Sequence, residues 1–447
     1  MLLAINWSTV PVQAAQMILS FSILILLHEF GHYITAKWFG CRVEKFYLFF
    51  NPWFSLFKKK KGETEYGIGW IPLGGYVKIS GMIDESMDKE QMKQPPQPYE
   101  FRSKPAWQRL IIMLGGVIIN VILAIIIFIF ILWVWGKKYM PPSSAKYGIV
   151  ADSLAQTVGL RNGDHILKVG PDTLKDIETV RGKIVLSEAR TLTIKRNDST
   201  IVLDLDEGLI SKLNSRKAGD FVDVRAPFVI DTFSKESGAK NAGILKNDRI
   251  IAVNDTSALY YDEFFKLMKN KIGTVRLKYI RGTDTLVKEV TLDKNGKIGA
   301  YPQSLKDLGF IYEKETFTFL EAIPAGFKEC WSTLARYITG LRQLFTGKAK
   351  ASESLGSVLS IGGIYPPFWN WQIFWTLTAI FSIILAFMNI LPIPGLDGGH
   401  ALFTLAEIIT GRKPSDKFLE YAQMVGMVLL MGLMAYALGL DVWRLFK

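Results

Sequence analysis

Two of the four histidines in this 447-residue chain stand in the segment His28-Glu29-Phe30-Gly31-His32. On an α-helix, residues four positions apart lie on one face, so both imidazoles can reach one metal ion at about 2.0–2.1 Å. The carboxylate beside the first histidine can then take a proton from a water on that ion. We therefore predict that His28 and His32 bind Zn²⁺ and that Glu29 is the catalytic residue.

This segment lies in an apolar stretch, because residues 17–36 contain no Lys or Arg. Ionisable residues at membrane depth cost a few kcal/mol each, and they persist mainly where they line a cavity or perform chemistry. The alternative is a chance His-Glu-x-x-His in a soluble helix, which the apolar surroundings disfavour. The pattern indicates a metal site inside a membrane.

The composition also favours a membrane protein. Hydrophobic residues make up 49% and aromatic residues 13% of the chain, and four apolar stretches approach the ~20 residues needed to span a bilayer. They cover residues 17–39, 110–135, 373–396 and 424–440. The net charge of +12 could indicate nucleic acid, but no nucleic-acid-binding motif accompanies it. We expect lipid headgroups, and no nucleic acid, to face this charge.

The distribution of basic residues predicts the topology. No Lys or Arg precedes Lys37, whereas Arg42, Lys45 and the run 58–61 follow it closely. The positive-inside rule therefore places the N-terminus outside and this loop in the cytoplasm. A cleaved signal peptide is not expected, because its basic n-region is missing. The loop with basic residues at 412–417 is cytoplasmic by the same rule, and the region between the second and third spans is exported.

The exported region contains a tandem repeat. A pattern of Ser, Gly, Asp and aliphatic residues recurs 84 residues later, as Ser153-x5-Gly159-Leu160-x2-Gly163-Asp164-x-Ile166 and Ser237-x5-Gly243-Ile244-x2-Asn247-Asp248-x-Ile250. Gly163 and Asn247 share one position, which suits a left-handed turn residue. Strand-like segments follow in both copies, at 190–196 and 200–206 and at 274–279 and 285–292. Cys41 and Cys330 fall on opposite faces of the membrane and are not expected to pair.

The repeated motif resembles that of PDZ domains, which bind chain ends by adding a strand to a sheet edge. We therefore predict two PDZ-like domains, at residues 145–222 and 223–303. The alternative is an unrelated pair of small β-rich modules.

A third metal ligand is expected in Asn389-Ile-Leu-Pro392-Ile-Pro394-Gly395-Leu396-Asp397-Gly398-Gly399-His400, because a catalytic zinc keeps three protein ligands. The prolines and glycines must break the helix there, and broken helices at membrane depth mark a buried or wet site. Asp397 lies at the cytoplasmic end of its span, at the depth of the histidine pair. We favour Asp397 as the ligand over His400.

Taken together, the chain resembles the site-2 protease family of intramembrane zinc metalloproteases, in its bacterial RseP/RasP type. The resemblance covers nearly the whole chain and rests on the His28–His32 motif, the tandem repeat and the segments Ile71-Pro72-Leu73-Gly74-Gly75-Tyr76-Val77-Lys78, Phe101-x2-Lys104-x4-Arg109 and Asn389…Leu396-Asp397-Gly398-Gly399-His400. It implies that His28, His32 and Asp397 bind zinc, that Glu29 is catalytic and that Asn389 contacts the unwound substrate.

Two positions depart from the family pattern. Gly-Pro in the second span appears here as Gly115-Gly116, and Gly-Pro-x-x-Ile after the repeat appears as Gly356-Ser357 followed by Ile361. We expect these changes to leave the metal site untouched and to affect how the outer segment packs or gates.

The resemblance also implies fold and function. We expect a polytopic α-helical membrane protein with about four transmembrane helices, two inserted PDZ-like β-rich domains and a membrane-associated β-hairpin region. The predicted segments are a first span at 1–42, a cytoplasmic β region at 43–105, a second span at 106–137, the two PDZ-like domains, an amphipathic outer segment at 315–369, a third span at 370–400 and a fourth at 418–441.

The cytoplasmic β region is rich in aromatic residues, which fits an aromatic belt at the membrane interface. It could also provide an edge strand near the zinc that pairs with an extended substrate, with Gly74, Gly75 and Tyr76 as substrate-binding residues. The helix stripe at 331–345 is expected either to lie on the outer leaflet or to pack in the core.

The expected activity is zinc-dependent hydrolysis of peptide bonds in transmembrane segments of single-span proteins, such as anti-sigma factors or remnant signal peptides. By the same resemblance we expect the site to face the cytoplasm of a bacterial inner membrane, an upstream site-1 protease to trim the substrate, and the PDZ pair to act as a size filter. Two alternatives are a membrane scaffold with a structural metal closed by Cys41 or His400, and a metal transporter, which would need ligands along several spans.

Overall fold

A computed structural model describes residues 9–82, 94–214 and 221–445. The chain forms two compact units. One, the helical unit, contains residues up to Gly136 together with Thr316–Leu341 and the part that begins at Leu355. The other, the β-rich unit, contains Lys137–Glu315 and Arg342–Ser354, and therefore the last turn of the helix Phe319–Phe345. Each unit has its own packing.

The helical unit is built from seven helices in the described part of the chain: α1 Val10–Trp38, α2 Ala106–Trp135, α3 Phe319–Phe345, α4 Val358–Gly362, α5 Trp371–Ile390, α6 Asp397–Thr410 and α7 Asp416–Leu445. Of these, α1, α2, α5 and α7 are long and apolar enough to cross a membrane. The protein is therefore a polytopic membrane protein. The third apolar stretch ends as a helix at Ile390 rather than at residue 396, because Pro392 and Pro394 cannot continue it.

The three helices α1, α2 and α5 pack closely. Buried residues of α1 recur every fourth position, from Gln16 through Ser20, Leu24 and His28 to His32. The Ser20 and Thr378 hydroxyls are 2.9 Å apart across α1 and α5. At the crossing of α1 and α2, a Cβ on Gly31 would lie 2.3 Å from the carbonyl oxygen of Gly115, so only glycine allows this approach. This close crossing fixes which turn of α2 lies beside His28 and His32.

A four-stranded mixed sheet belongs to the same unit. Its strands are β1 Val43–Phe50, β2 Phe57–Lys61, β3 Thr64–Ile68 and β4 Ile71–Ile79, in the order β2-β3-β1-β4. Only β2 and β3 form the simple hairpin expected from the sequence, because β1 pairs with β3 in parallel and with β4 antiparallel. Val43, Val77 and Ile79 pack on Ala36, Ile112, Met113 and Ala401. Strand β4 forms an edge of the sheet.

The outer helix α3 packs along the spanning helices. Cys330 and Leu334 lie in one apolar cluster with residues of α2 and α5, and the Tyr337 ring meets Phe387 of α5 edge-on. Trp331 stays exposed. The middle of the stripe thus packs on the spanning helices, while the exposed Trp331 and Phe345 rings leave its place on the outer leaflet a prediction.

The β-rich unit repeats one arrangement. The first copy, at 149–224, has strands β6 Ile149–Ala151, β7 His165–Val169, β8 Asp172–Thr173, β9 Thr191–Arg196, β10 Ser199–Asp204 and β11 Val222–Val224. The second, at 228–302, has β12 Ile230–Phe233, β13 Arg249–Val253, β14 Thr256–Ser257, β15 Thr274–Arg281, β16 Asp284–Thr291 and β17 Ala300–Pro302. A remaining short pair joins β5 Lys137–Tyr139 to β18 Glu313–Glu315.

The two copies share their strand order. It is β10-β9-β7-β8 in the first and, read in the same direction, β16-β15-β13-β14 in the second. Short helices complete them: Ser153–Thr157, Val180–Ser187 and Gly208–Asn214 in the first, Gly238–Asn241 and Tyr261–Met268 in the second. Gly163 and Asn247 have φ of +92° and +71°, which confirms the predicted left-handed turn. The tandem repeat is thus confirmed as a structural duplication, while its assignment to the PDZ fold stays a prediction.

Candidate metal centre

Helix α1 places both histidines of the motif on its buried face. His28 and His32 are 8% and 7% exposed, one helical turn apart, and their Nε2 atoms are 3.3 Å from each other. The imidazoles therefore converge on one point, as the four-residue spacing predicts.

The break after α5 supplies the carboxylate. The chain leaves the helix at Leu391, turns through Gly395 with φ of +95°, and enters α6 with Asp397 as its first residue. The turn is tight: a Cβ on Gly398 would lie 2.3 Å from the Leu391 carbonyl oxygen. The glycines after Asp397 are therefore required to fold this aspartate back toward α1.

Asp397 reaches both histidines. Its Oδ2 lies 3.2 Å from Nε2 of His28 and 3.3 Å from Nε2 of His32. Among the described residues, this is the one group of three His, Cys, Asp or Glu side chains close enough to share an ion.

The three atoms fit a zinc ion. Two ligands at 2.0–2.1 Å from a tetrahedral ion lie about 3.3–3.4 Å apart, which matches the three distances. Oδ2 of Asp397 is also buried and accepts no hydrogen bond from the described residues. A buried carboxylate oxygen normally has a partner, and a cation held with the two imidazoles supplies one.

Neighbouring groups orient the two rings. The Nδ1–H of His32 donates to the carbonyl of Ile112 at 2.8 Å, which leaves its Nε2 lone pair facing Asp397. The Asn389 amide lies 3.2 Å from Nε2 of His28, and the Asn120 amide lies 3.3 Å from Nδ1 of the same ring. The contacts at Nδ1, on the side of each ring away from Asp397, are of the kind that set the tautomer and direction of metal-binding histidines.

The glycines of α2 are part of this site. A Cβ on Gly116 would lie 2.5 Å from Nε2 of His32 and 2.5 Å from Cε1 of His28. The expectation that the Gly115-Gly116 departure leaves the metal site untouched was therefore wrong, because the rings pack directly on this backbone. Gly116 and Asn120 were both missed, although a polar Asn120 within an apolar span was a readable signal.

The other departure, at Gly356-Ser357, contacts the end of α7. The buried Asp441 carboxylate accepts from the backbone N–H and hydroxyl of both Ser357 and Ser360, which joins the start of α4 to α7. This contact explains the serines in a place where the family pattern has Gly-Pro, and it supports the expectation that this change affects outer packing.

Glu29 stands beside the first histidine and is half-buried. Strand β4 lies against it, since a Cβ on Gly75 would come 3.4 Å from Cγ of Glu29 and 2.8 Å from Cγ2 of Ile25. Gly74 faces the Phe50 ring, and Tyr76 donates its hydroxyl hydrogen to Oδ1 of Asn51 at 2.9 Å. Of the three predicted substrate-binding residues, Gly75 is thus the one that packs on the α1 motif.

His400 occupies a different place. It lines a small cavity with Arg109 and Glu407, outside the group formed by His28, His32 and Asp397. Arg109 donates to Oε1 of Glu407 at 2.5 Å and to the Lys104 carbonyl at 3.0 Å, so it ties α6 to the start of α2. From the sequence, Arg109 is identifiable only as part of the segment Phe101-x2-Lys104-x4-Arg109, without a partner.

Comparison with known proteins agrees with this geometry. The model of peptidase family M50 matches residues 16–433. The chain belongs to this family.

Individual relatives match over almost their full length. Regulator of sigma-E protease RseP of Escherichia coli is 28% identical over 468 residues, covering 96% of this chain and 98% of its own. A predicted zinc metalloprotease of Rickettsia conorii is 28% identical over 439 residues, with coverage of 96% and 98%. Regulator of sigma E protease of Haemophilus influenzae is 26% identical over 454 residues, with coverage of 96% and 98%.

These matches confirm the resemblance to the site-2 protease family and the prediction of a metalloprotease. The names of the relatives also support Zn²⁺ as the cofactor.

Proposed function

We propose that this membrane-embedded metalloprotease cleaves transmembrane segments of single-span proteins, with His28, His32 and Asp397 as zinc ligands and Glu29 as general base. The observation that carries the proposal is the convergence of three ligand atoms within 3.2–3.3 Å of one another, one of them a buried carboxylate oxygen that accepts no hydrogen bond from the described residues. The three residues come from α1 and α6, so the helical unit alone supplies the site.

When bound, zinc supplies a Lewis acid that activates water and polarises the scissile carbonyl. The Glu29 carboxylate, one residue from His28, accepts a proton from the attacking water and returns it to the leaving amine. The His32 ring is anchored by the Ile112 carbonyl, and Asp397 is held in place by the α5–α6 break.

A substrate helix must open before a peptide bond can be cleaved. Strand β4 is at the sheet edge, and no described strand pairs with its outer side. Gly75 brings this edge against Glu29, so an extended segment paired with Gly74, Gly75 and Tyr76 would pass the carboxylate. The Asn389 amide, once Nε2 of His28 binds the metal, can donate to a substrate carbonyl.

The exposed aromatic residues of the sheet support membrane contact. Trp53 and Phe54 are 90% and 56% exposed and stack with Trp70. Aromatic rings of this kind concentrate at headgroup level. We place this sheet at the cytoplasmic face of a bacterial inner membrane.

The proposal extends to the order of events in proteolysis. Substrates are single-span proteins such as anti-sigma factors or remnant signal peptides, first shortened outside by a site-1 protease. The two β-rich domains, as PDZ-like modules, then exclude substrates with large outer domains.

A cleavage assay tests the function. Purified protein is incubated with a single-span substrate that has a short outer end, and products are read on gels. Wild-type protein should cleave it, a chelator should stop cleavage and added zinc should restore it. Glu29→Gln should bind zinc normally and cleave nothing, because the ligands remain and the base is gone.

The matched control is Glu63→Gln, which changes a carboxylate that is 63% exposed and should leave cleavage unchanged. Turnover by purified Glu29→Gln would contradict the assigned role. Cleavage that resists the chelator would contradict the metal mechanism.

A further inference from the structure

Asn120 is a buried polar residue of α2 at the metal centre. It is 0% exposed, its amide faces Nδ1 of His28 at 3.3 Å, and its Oδ1 has no hydrogen-bond partner among the described residues. Burying a side-chain amide in a membrane span costs free energy unless it is hydrogen-bonded, and here the oxygen is the atom that lacks a described partner.

The hydrogen-bond network around His28 determines which end of the amide is needed. The Asn389 NH₂ group can only donate, so at 3.2 Å it requires an Nε2 lone pair. The neutral ring then carries its proton on Nδ1 and needs an acceptor there. The Asn120 NH₂ group cannot accept, whereas its Oδ1 can.

Turning the Asn120 amide by half a turn exchanges the positions of its NH₂ group and its Oδ1 beside His28. Its orphaned Oδ1 then accepts from Nδ1–H of His28, and the imidazole presents a lone pair on Nε2, the atom beside Asp397. His32 has the equivalent arrangement, because its Nδ1–H donates to the Ile112 carbonyl. Each metal-facing nitrogen is thus matched by an oxygen acceptor on the opposite side of its ring.

We infer that Asn120 is a positioning residue, whose Oδ1 holds His28 in the tautomer that binds zinc. This inference rests on the proposed zinc site and adds a residue from a third helix to its support. Because an acceptor opposite a metal-binding nitrogen raises metal affinity, the effect appears in zinc binding itself and not only in turnover.

The test compares zinc affinities of detergent-solubilised protein by competition with a chelator. Asn120→Leu, close in size but without an acceptor, should weaken zinc binding about 10–100-fold. Asn120→Asp keeps an oxygen acceptor and should recover most of that loss. The d–d absorption of the cobalt-loaded protein should change in Asn120→Leu and stay close to wild type in Asn120→Asp.

Ser382→Ala is the matched control, because it removes a 2.7 Å hydrogen bond to the backbone carbonyl of Asn120 without touching the imidazole. It should leave zinc affinity unchanged. Asn120→Ala is measured in parallel, and thermal unfolding of the metal-free proteins identifies variants that do not fold.

Three results would overturn the inference: wild-type affinity in a folded Asn120→Leu or Asn120→Ala protein, equal weakening in Asn120→Asp and Asn120→Leu, or equal weakening in Ser382→Ala. A wild-type protein that binds no zinc would instead refute the metal site on which the inference rests.

Discussion

Two aspartates of the β-rich unit and Asp397 of the helical unit hold their carboxylates in different surroundings. In the β-rich unit, Asp164 and Asp248 are each 1% exposed. Asp164 accepts two hydrogen bonds from Arg196 at 2.8 Å, and Asp248 accepts two from Arg281 at 2.8 and 2.7 Å. In the helical unit, the buried Oδ2 of Asp397 has two imidazole nitrogens nearby and accepts no hydrogen bond from the residues that the structure describes.

The difference shows how burial alone fails to identify a metal ligand. The duplicated Asp–Arg pairs are internally neutralised and complete, so they hold the turn beside Gly163 and Asn247. Asp397 is incomplete without a cation. The orphaned oxygen therefore distinguishes the proposed metal site from the pairs that stabilise a fold.

The largest expected effect comes from Asp397→Asn. The amide has no charge and is a poor ligand, so zinc affinity should fall at least about 100-fold, more than the loss of an outer contact. Metal content after chelator competition measures this. The control His400→Ala should retain its zinc, and the reverse pattern, zinc kept in Asp397→Asn and lost in His400→Ala, would make His400 the third ligand.

Asp248→Asn should affect stability and leave zinc alone. It removes the charge partner of Arg281 and part of a buried network, at a cost of about 2–3 kcal/mol. Hydrogen exchange over β15 and β16 in the full chain should accelerate, while zinc content stays at the wild-type level. Asp231→Asn is the control in the same domain, since its partnership with Lys246 is exposed. Loss of zinc in Asp248→Asn would break the division between the two kinds of aspartate.

Glu188, in the β-rich unit, is a carboxylate near the surface whose partners Lys348 and Arg342 are partly exposed, and it can be compared with the buried Asp–Arg pairs. Its hydrogen bond from Lys348, at 2.6 Å, and the nearby Arg342 guanidinium lower the pKa of this carboxyl below its usual value. Because the folded-state pKa is depressed, the stabilisation is present above the unfolded-state pKa and is lost as pH falls through the folded-state value.

Glu188→Gln should therefore cost about 0.5 kcal/mol near pH 7 and nothing in strong acid. Denaturation curves at both pH values measure the change, with wild-type protein as the reference. An equal cost at both pH values would show that packing, and not charge, accounts for the effect.

The smallest effect should follow deletion of residues 145–303 with a short linker. Both Asp–Arg pairs are removed, but every proposed ligand remains, so zinc content and cleavage of a trimmed substrate should stay near wild type. An untrimmed substrate should become cleavable if the domains act as a filter. If they instead recruit the new chain end made by a first cut, the deletion should lose activity on the trimmed substrate, and Glu29→Gln provides the blank for both assays.

Much of the architecture of the two units was predictable from local sequence patterns. The left-handed position shared by Gly163 and Asn247, and the paired strands around Asn197 and Gly282, follow from turn chemistry within short segments. The apolar stretches marked the spanning helices, although the helix in the third stretch is shorter than predicted because proline acts before the hydrophobicity ends. The mixed order of β1–β4 was not predictable, because a parallel pairing depends on a crossover that composition does not reveal.

The amino-acid sequence by itself determined that His28 and His32 share a helix face, that an apolar environment surrounds them and that the chain breaks near Asp397, because each follows from spacing or from the geometry of single residues. Only the tertiary structure decided which atoms meet. The approach of Asp397 Oδ2, the packing of Gly116 on both imidazoles and the place of Asn120 behind His28 join residues between about 80 and 370 positions apart. Such contacts depend on how α1, α2, α5 and α6 pack. Packing depends on the complementary shapes of helix surfaces in three dimensions, which local sequence patterns do not specify.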